Sequence, residues 1–356
     1  MLRLLLFLGL STAIAKSELT MLQKTGMMGS IVLIEGENSS GTGFLARENQ
    51  QIFLYTAAHV LSGNSTLSFT LTDGTKLKQL SRLQIADDVD VARFLVSDKL
   101  TKAIPRWHKK EERIAIHAPI AAFGNSDGTG VITLSDGKIL GIGKENYEVS
   151  TEIIQGNSGG PIIHIKTGLV IGIATHLIAP REDIWAQETR FKSVRRFAAR
   201  LDRNIKWFNT DFKTFSNEMQ TIHNFDRKTQ LVFAFAELQP YRDGLRLDTE
   251  VGGGRTADQI FTQNRDNPAV QGLIKLNENV LRYQQSYNDH ALIGKYLEFY
   301  RYIYKTAETQ TRTFLPSRFT RFHREDADLS LQHRKKAVES LVATIKEFQH
   351  LQKRVR

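Results

Sequence analysis

Ten short runs of β-branched and aromatic residues crowd the stretch from residue 30 to residue 175. They lie at 30–35, 43–46, 52–56, 67–71, 90–96, 114–123, 131–134, 138–142, 161–165 and 169–175, separated by Gly, Asp and Asn. Short strands must pair to satisfy their backbones, and many in succession read as an all-β sandwich or a pair of barrels. Residues 193–202 read as a closing helix, with Val194, Phe197, Ala198 and Leu201 on one face and Ser193 as N-cap.

The texture changes near residue 205 and becomes mostly helical. Asn267-Pro268 reads as a cap and first-turn proline, followed by Val270, Leu273, Ile274, Leu276 and Leu281 at helical spacing. Leu292, Ile293, Tyr296, Leu297, Tyr300, Ile303 and Tyr304 form a second stripe, and Val338, Leu341, Val342, Ile345, Phe348 and Leu351 a third. Such stripes bury themselves as core, so the tyrosines are packing residues and not a base-stacking platform. Segment 243–255 contains Gly252-Gly253-Gly254 but lacks the Gly-Lys-Ser/Thr ending of a phosphate-binding loop, and reads as a linker.

Composition narrows the chemistry. The chain has 356 residues, 48 Lys and Arg against 38 Asp and Glu for a net charge of +10, and no cysteine. At about 150 residues per domain the length suits two domains, each with a sizeable core. Without cysteine there is no disulfide scaffold, thiolate zinc site, cysteine-ligated iron–sulfur cluster or cysteine nucleophile. The ten histidines show no paired metal-ligand spacing, so neither a catalytic metal nor a cofactor is expected. The basic excess is a solvated surface by default, since no nucleic-acid module accompanies it.

The chain opens as an export leader. Met1-Leu2-Arg3 is positively charged, Leu4 to Leu10 is apolar but too short to span a bilayer, and Ala13-Ile14-Ala15 has the small-x-small cleavage pattern. Cleavage after Ala15 predicts a secreted or periplasmic protein with no transmembrane anchor, and the lack of disulfides suggests a bacterial one. The expected organisation is a leader at 1–15, a β-rich domain at 16–204 and a mainly helical domain at 205–356.

Three separated segments share a chemistry. His59 lies in Thr56-Ala57-Ala58-His59-Val60, Asp90 in Asp88-Val89-Asp90-Val91-Ala92, and Ser158 in Gly156-Asn157-Ser158-Gly159-Gly160-Pro161. Acyl transfer by serine needs a base to take the hydroxyl proton and an acid to hold the base's tautomer. The trio supplies all three roles. Asp87 and Asp88 are the alternative acids, and Asp90 is preferred because it directly precedes the apolar Val91-Ala92 step. Glycines around Ser158 let the Gly156 and Ser158 amides converge on an oxyanion, where a side chain at Gly156 would crowd the substrate.

The order His, Asp, Ser separates this chain from subtilisin-like and α/β-hydrolase arrangements. With Gly41-Thr42-Gly43-Phe44-Leu45 before the histidine and 168–175 after the serine, residues 25–202 resemble the trypsin-like (chymotrypsin-fold) serine peptidases, in their bacterial HtrA-type branch. The resemblance implies a double β-barrel with His59 and Asp90 from the first barrel and Ser158 from the second. It implies a serine endopeptidase acting on protein or peptide substrates. Asn157 stands where zymogen-activated members carry an aspartate, so activation by an N-terminal ion pair is not expected. The helical texture after residue 202 argues against a PDZ domain.

The resemblance places Glu152, Ile154 and Gln155 on one side of the substrate and Thr175, His176 and Leu177 along its backbone. Glu152 at a pocket floor would favour Lys or Arg; the preferred expectation is that it faces solvent, leaving an apolar or small pocket. Ala174 occupies the place of the histidine found in glutamyl endopeptidases, so cleavage after glutamate is not expected. The helical region could instead recruit a partner, making the chain a silent or partner-activated scaffold.

Overall fold

The computed structural model describes residues 19–97, 99–100, 103–105, 113–180, 187–238, 240–241, 244–245, 250–251, 254–282 and 289–355. The leader at 1–15 lies outside these residues. The chain divides into two compact units, one up to Ser216 and the other from Asn217 onward.

The first unit opens with α1 (Met21–Met28), capped by Thr20, whose side chain accepts from Gln23 N–H. Strands β1 (Ile31–Gly36), β2 (Ser40–Glu48) and β3 (Gln51–Thr56) follow as hairpins, then α2 (Ala58–Leu61). Next come β4 (Leu67–Leu71), β5 (Leu80–Ala86), β6 (Ala92–Val96) and the two-residue β7 (Ile104–Pro105), parallel to β2. The sheet order, extended by β14 (Trp207–Thr210), is β14-β5-β6-β3-β2-β1-β4. Beyond β4, Leu77 N–H donates to Phe69 O at 2.9 Å and Ser97 N–H to Gln79 O at 3.0 Å. The sheet curls around Ile31, Ile34, Phe44, Leu54 and Val91, all fully buried.

The second sheet is a closed barrel. It is built from β8 (Pro119–Asn125), β9 (Ile132–Ile142), β10 (Asn146–Val149), β11 (Pro161–His164), β12 (Leu169–Ile178) and β13 (Arg195–Arg200), in the order β10-β13-β12-β11-β8-β9. Its core holds Ile120, Ile139, Tyr147, Ile162, Ile171 and Ala198. An eight-stranded sheet and a closed barrel, followed by a helical unit, give the β-rich then helical fold class that the resemblance implies.

The helix expected at 193–202 is instead strand β13. Its apolar positions fit both periods, and barrel closure decides: as a strand it bonds β10 on one edge and β12 on the other. Two of its arginines are paired, Arg195 with Glu148 of β10 at 2.8 Å and Arg200 with the neighbouring Asp202 at 2.9 Å. Ser193 caps nothing downstream; its hydroxyl donates back to Arg190 O at 2.8 Å. β14 was also unforeseen. It brings Trp207 over the Arg93 guanidinium, 4.1 Å from the ring centroid, while Arg93 pairs with Glu48 at 2.7 Å.

The second unit takes most of α3 (Phe212–Glu237), a short hairpin of β15 (Pro240–Tyr241) and β16 (Gly244–Leu245), and four further helices. These are α4 (Ala257–Gln263), α5 (Pro268–Arg282), α6 (Asp289–Thr313) and α7 (Arg321–Arg354). The expected stripes are its core: Val270, Leu273, Leu297, Tyr300, Ile303, Leu341 and Phe348 are buried together. Of the segment expected as a linker, Gly252 and Gly253 lie outside the described residues, while Val251 is buried in this core.

Arg334 of α7 is fully buried. Its guanidinium donates to Thr229 Oγ1 at 2.8 Å, Phe225 O at 3.2 Å and Gln310 Oε1 at 3.3 Å, and burial pulls its pKa down to about 10. Thr229→Val leaves one charged donor unpaired inside the unit, a loss of about 1–3 kcal/mol. Urea unfolding should show a lower midpoint with an unchanged slope.

Candidate active site

Each of the three candidate side chains sits where the chain leaves one strand for the next. After β3 the short helix α2 carries His59; Asp90 lies between β5 and β6, and Ser158 between β10 and β11. His59 Nδ1 is 2.5 Å from Asp90 Oδ2, and the His59 backbone N–H donates to Asp90 Oδ1 at 3.0 Å. One carboxylate thus holds both ring and backbone. With its Nδ1 proton directed at Asp90, the imidazole has Nε2 left as a base. Burial, the largest single influence, lowers the His59 pKa, but the hydrogen bond and charge of Asp90 outweigh it and raise the pKa above the ordinary 6.5. Asp88 pairs with Arg203 and Asp87 lies 3.7 Å from Lys206 Nζ, so neither competes for His59.

Ser158 Oγ donates to the Thr175 carbonyl at 3.2 Å and, among the described residues, makes no bond to His59.

The loop around Ser158 depends on two glycines in the left-handed region, Gly156 at φ +87° and Gly159 at φ +89°. A Cβ on Gly159 would meet Thr42 O at 2.0 Å, and one on Gly156 would meet Asn125 O at 2.1 Å. The crowding expected at Gly156 therefore falls on the protein, against the turn at 125–128, and not on the substrate. Asp127 N–H in that turn donates to Gln155 O at 2.8 Å. A trans peptide points its C=O and N–H in opposite directions, so this bond turns the Gly156 N–H away from the turn. Thr42 holds the other carbonyls, its Oγ1 donating to Gly156 O at 2.7 Å and its N–H to Ser158 O at 2.8 Å. Among the described residues, the amides of Gly156 and Ser158 have no internal acceptor.

Asn157 is buried behind this loop. Its Oδ1 accepts from Ser126 Oγ at 3.0 Å and its Nδ2 donates to Glu152 O at 3.3 Å. Neutral groups thus satisfy the side chain that would be an ion-paired aspartate in zymogen-activated enzymes. Ser126 and Asp127 escaped the sequence reading because they form an ordinary turn sequence, Asn125-Ser126-Asp127-Gly128, far along the chain from Ser158.

Residues 41–173 match the family model described as the trypsin-like peptidase domain. The chain contains a trypsin-like peptidase domain. The chain is 30% identical over 167 residues to the serine protease Do-like HtrA of Lactococcus lactis subsp. cremoris, covering 41% of this chain and 39% of that protein. It is 31% identical over 157 residues to the Bacillus subtilis protein of the same name, covering 38% and 33%. The chain thus spans well under half the length of these curated relatives. Among solved structures, a serine endoprotease from Yersinia pestis aligns with a TM-score of 0.40 at 19% identity, covering 50% of this chain and 61% of that one. Rv3671c of M. tuberculosis H37Rv, in an inactive form, aligns with a TM-score of 0.39 at 20% identity, covering 50% and 84%.

In the peptidase domain the residues expected to meet substrate fall on two segments beside Ser158. Glu152 is exposed, and its backbone N–H is tied to Ser135 Oγ at 2.8 Å. Ile154 and Gln155 are exposed on the way into the serine loop. Opposite, Thr175 is buried, with Oγ1 bonded to Phe197 O at 3.3 Å. His176 stacks on Phe197 with ring centroids 5.0 Å apart, and Leu177 is exposed. Burial holds the His176 pKa below the ordinary value.

Proposed function

We propose that this chain is an exported serine endopeptidase. His59 takes the proton of Ser158, Asp90 orients His59 and stabilises its cation, and the Gly156 and Ser158 amides receive the oxyanion. The acyl-enzyme that results is hydrolysed by a water that His59 deprotonates in turn. The observation that carries this reading is the doubly bonded His59–Asp90 pair, at 2.5 Å through the ring and 3.0 Å through the backbone. The Gly156 and Ser158 amides, which have no internal acceptor among the described residues, support it, since oriented donors are what a tetrahedral intermediate needs. Export rests on the leader pattern at 1–15 and is checked by sequencing the N-terminus of the protein recovered outside the cytoplasm.

The test is labelling of the purified mature protein and its Ser158→Ala variant with a fluorophosphonate probe, with casein cleavage assayed in parallel. Labelling and cleavage in the first, and neither in the second, are expected. No labelling of a folded protein overturns the reading of a constitutive enzyme. The Ser158 hydroxyl, turned to Thr175 O, favours a second reading in which a partner or substrate must first release it. A labelling rate that rises on adding substrate protein would select that reading.

Ser126→Ala removes the donor from buried Asn157 and loosens the loop bearing Ser158. A loss of about 1.4 kcal/mol in transition-state stabilisation corresponds to about tenfold slower labelling. An unchanged rate would show that Ser126 does not position the loop.

A further inference from the structure

We infer that Arg196 makes the peptidase selective for substrates with Asp or Glu immediately before the cleaved bond. The inference rests on the serine-peptidase reading above and names the class of residue that site would take.

Arg196 lies on β13, opposite Val149 of β10 and Leu177 of β12. Side chains alternate along a strand, so Arg196 shares the face of Ala198, which is buried in the barrel core, and opposes that of Arg195 and Phe197. Arg195 confirms the alternation by packing 4.7 Å from the Phe191 ring centroid and 5.1 Å from that of Phe197. On the core face the Arg196 guanidinium reaches the segment leading into the serine loop, where its Nε donates to Ile153 O at 3.3 Å. Arg196 therefore joins the two segments flanking Ser158, its side chain bonding the 152–155 segment and its backbone pairing with the strand that carries Thr175–Leu177.

Its charge distinguishes it from its neighbours. Arg190 and Arg195 share Glu148, and Arg200 has Asp202. Arg196 has no carboxylate partner among the described residues, and the exposed Glu152 makes no ion pair with it. Half-buried and anchored through Nε, the guanidinium keeps its terminal N–H groups for a second acceptor. A carboxylate from the substrate supplies the charge and the geometry that a planar guanidinium binds best. A Lys or Arg in the same place would meet a like charge, and a small apolar side chain would leave the cation unpaired.

This reverses the specificity expected from sequence. As part of strand β13, Arg196 reaches the 152–155 segment and pairs with Leu177, which the helix expected at 193–202 did not anticipate.

The test compares quenched fluorescent peptides identical except for Asp, Glu, Ala, Leu or Lys before the scissile bond. The wild-type protein is expected to cleave the acidic peptides at least about tenfold better in kcat/KM than the Ala and Leu peptides. Arg196→Ala should bring that ratio close to one, and Arg196→Glu should favour the Lys peptide. Arg196→Lys keeps the charge without the planar fork and should give an intermediate ratio, which carries the test if Arg196→Ala fails to fold in thermal melts. Fluorophosphonate labelling of the wild-type protein separates the two readings. Labelled enzyme with no acidic preference, or a preference that survives Arg196→Ala, overturns the role of Arg196 alone. No labelling of folded protein overturns the peptidase reading and this one with it.

Discussion

Ser158→Ala is expected to lower kcat for peptide hydrolysis by on the order of 10⁶-fold with little change in fold stability. The two effects separate because the hydroxyl has one weak internal bond, to Thr175 O at 3.2 Å, while its chemistry is the whole nucleophilic step. Losing that bond costs no more than about 1 kcal/mol, so the melting temperature should stay close to that of the wild type. His59→Ala should do nearly the same damage, and the double variant little more, because base and nucleophile act as one unit. The residue of catalysis left in each should be common to all three and reflect the Gly156 and Ser158 amides. Single-turnover cleavage of one peptide by the three variants measures this. Multiplicative losses would show that Ser158 and His59 do not act together.

The site was legible where its chemistry is local and obscure where it depends on packing. His59, Asp90 and Ser158 each sit in a short motif whose neighbours the turn itself demands, and the structure brings the first two into direct contact. Asp90 was separable from Asp88 only by its place beside Val91-Ala92, and the reason becomes physical in the fold, where Arg203 takes Asp88. The helical stripes around Leu297 and Leu341 were plain because an amphipathic helix writes its buried face every three or four residues. β13 was misread because its apolar residues satisfy both periods and the carboxylate that neutralises Arg195, Glu148, comes from another strand. Ser126 and Asp127 carried no signal, since an Asn-Ser-Asp-Gly turn looks alike whether it faces solvent or backs the loop of a nucleophile.

Asp90→Asn is the sharper test of how the pair works, because it keeps shape and changes the count of acceptors. Asp90 accepts twice, from the His59 ring through Oδ2 and from the His59 backbone N–H through Oδ1. An asparagine side chain has one carbonyl oxygen and an NH₂ group, so one of those donors must face another donor or the imidazole must change tautomer. In the second case the proton moves to Nε2, where the base has to be bare. A fall of about 10⁴-fold in kcat at neutral pH is expected. The pH profile should respond as well. The base works only when neutral, so activity is lost as pH falls through the His59 pKa, which Asp90 holds above 6.5. Removing the carboxylate's charge lowers that pKa, and the acid limb of the residual kcat/KM profile should move to lower pH. The same shift has a stability sign. A raised folded-state pKa contributes stability that is fully present below the unfolded value and is lost as pH rises through the folded one, so Asp90→Asn should weaken the fold more in acid than at alkaline pH. An acid limb that stays in place, with the rate reduced, would mean that a group other than His59 sets the titration.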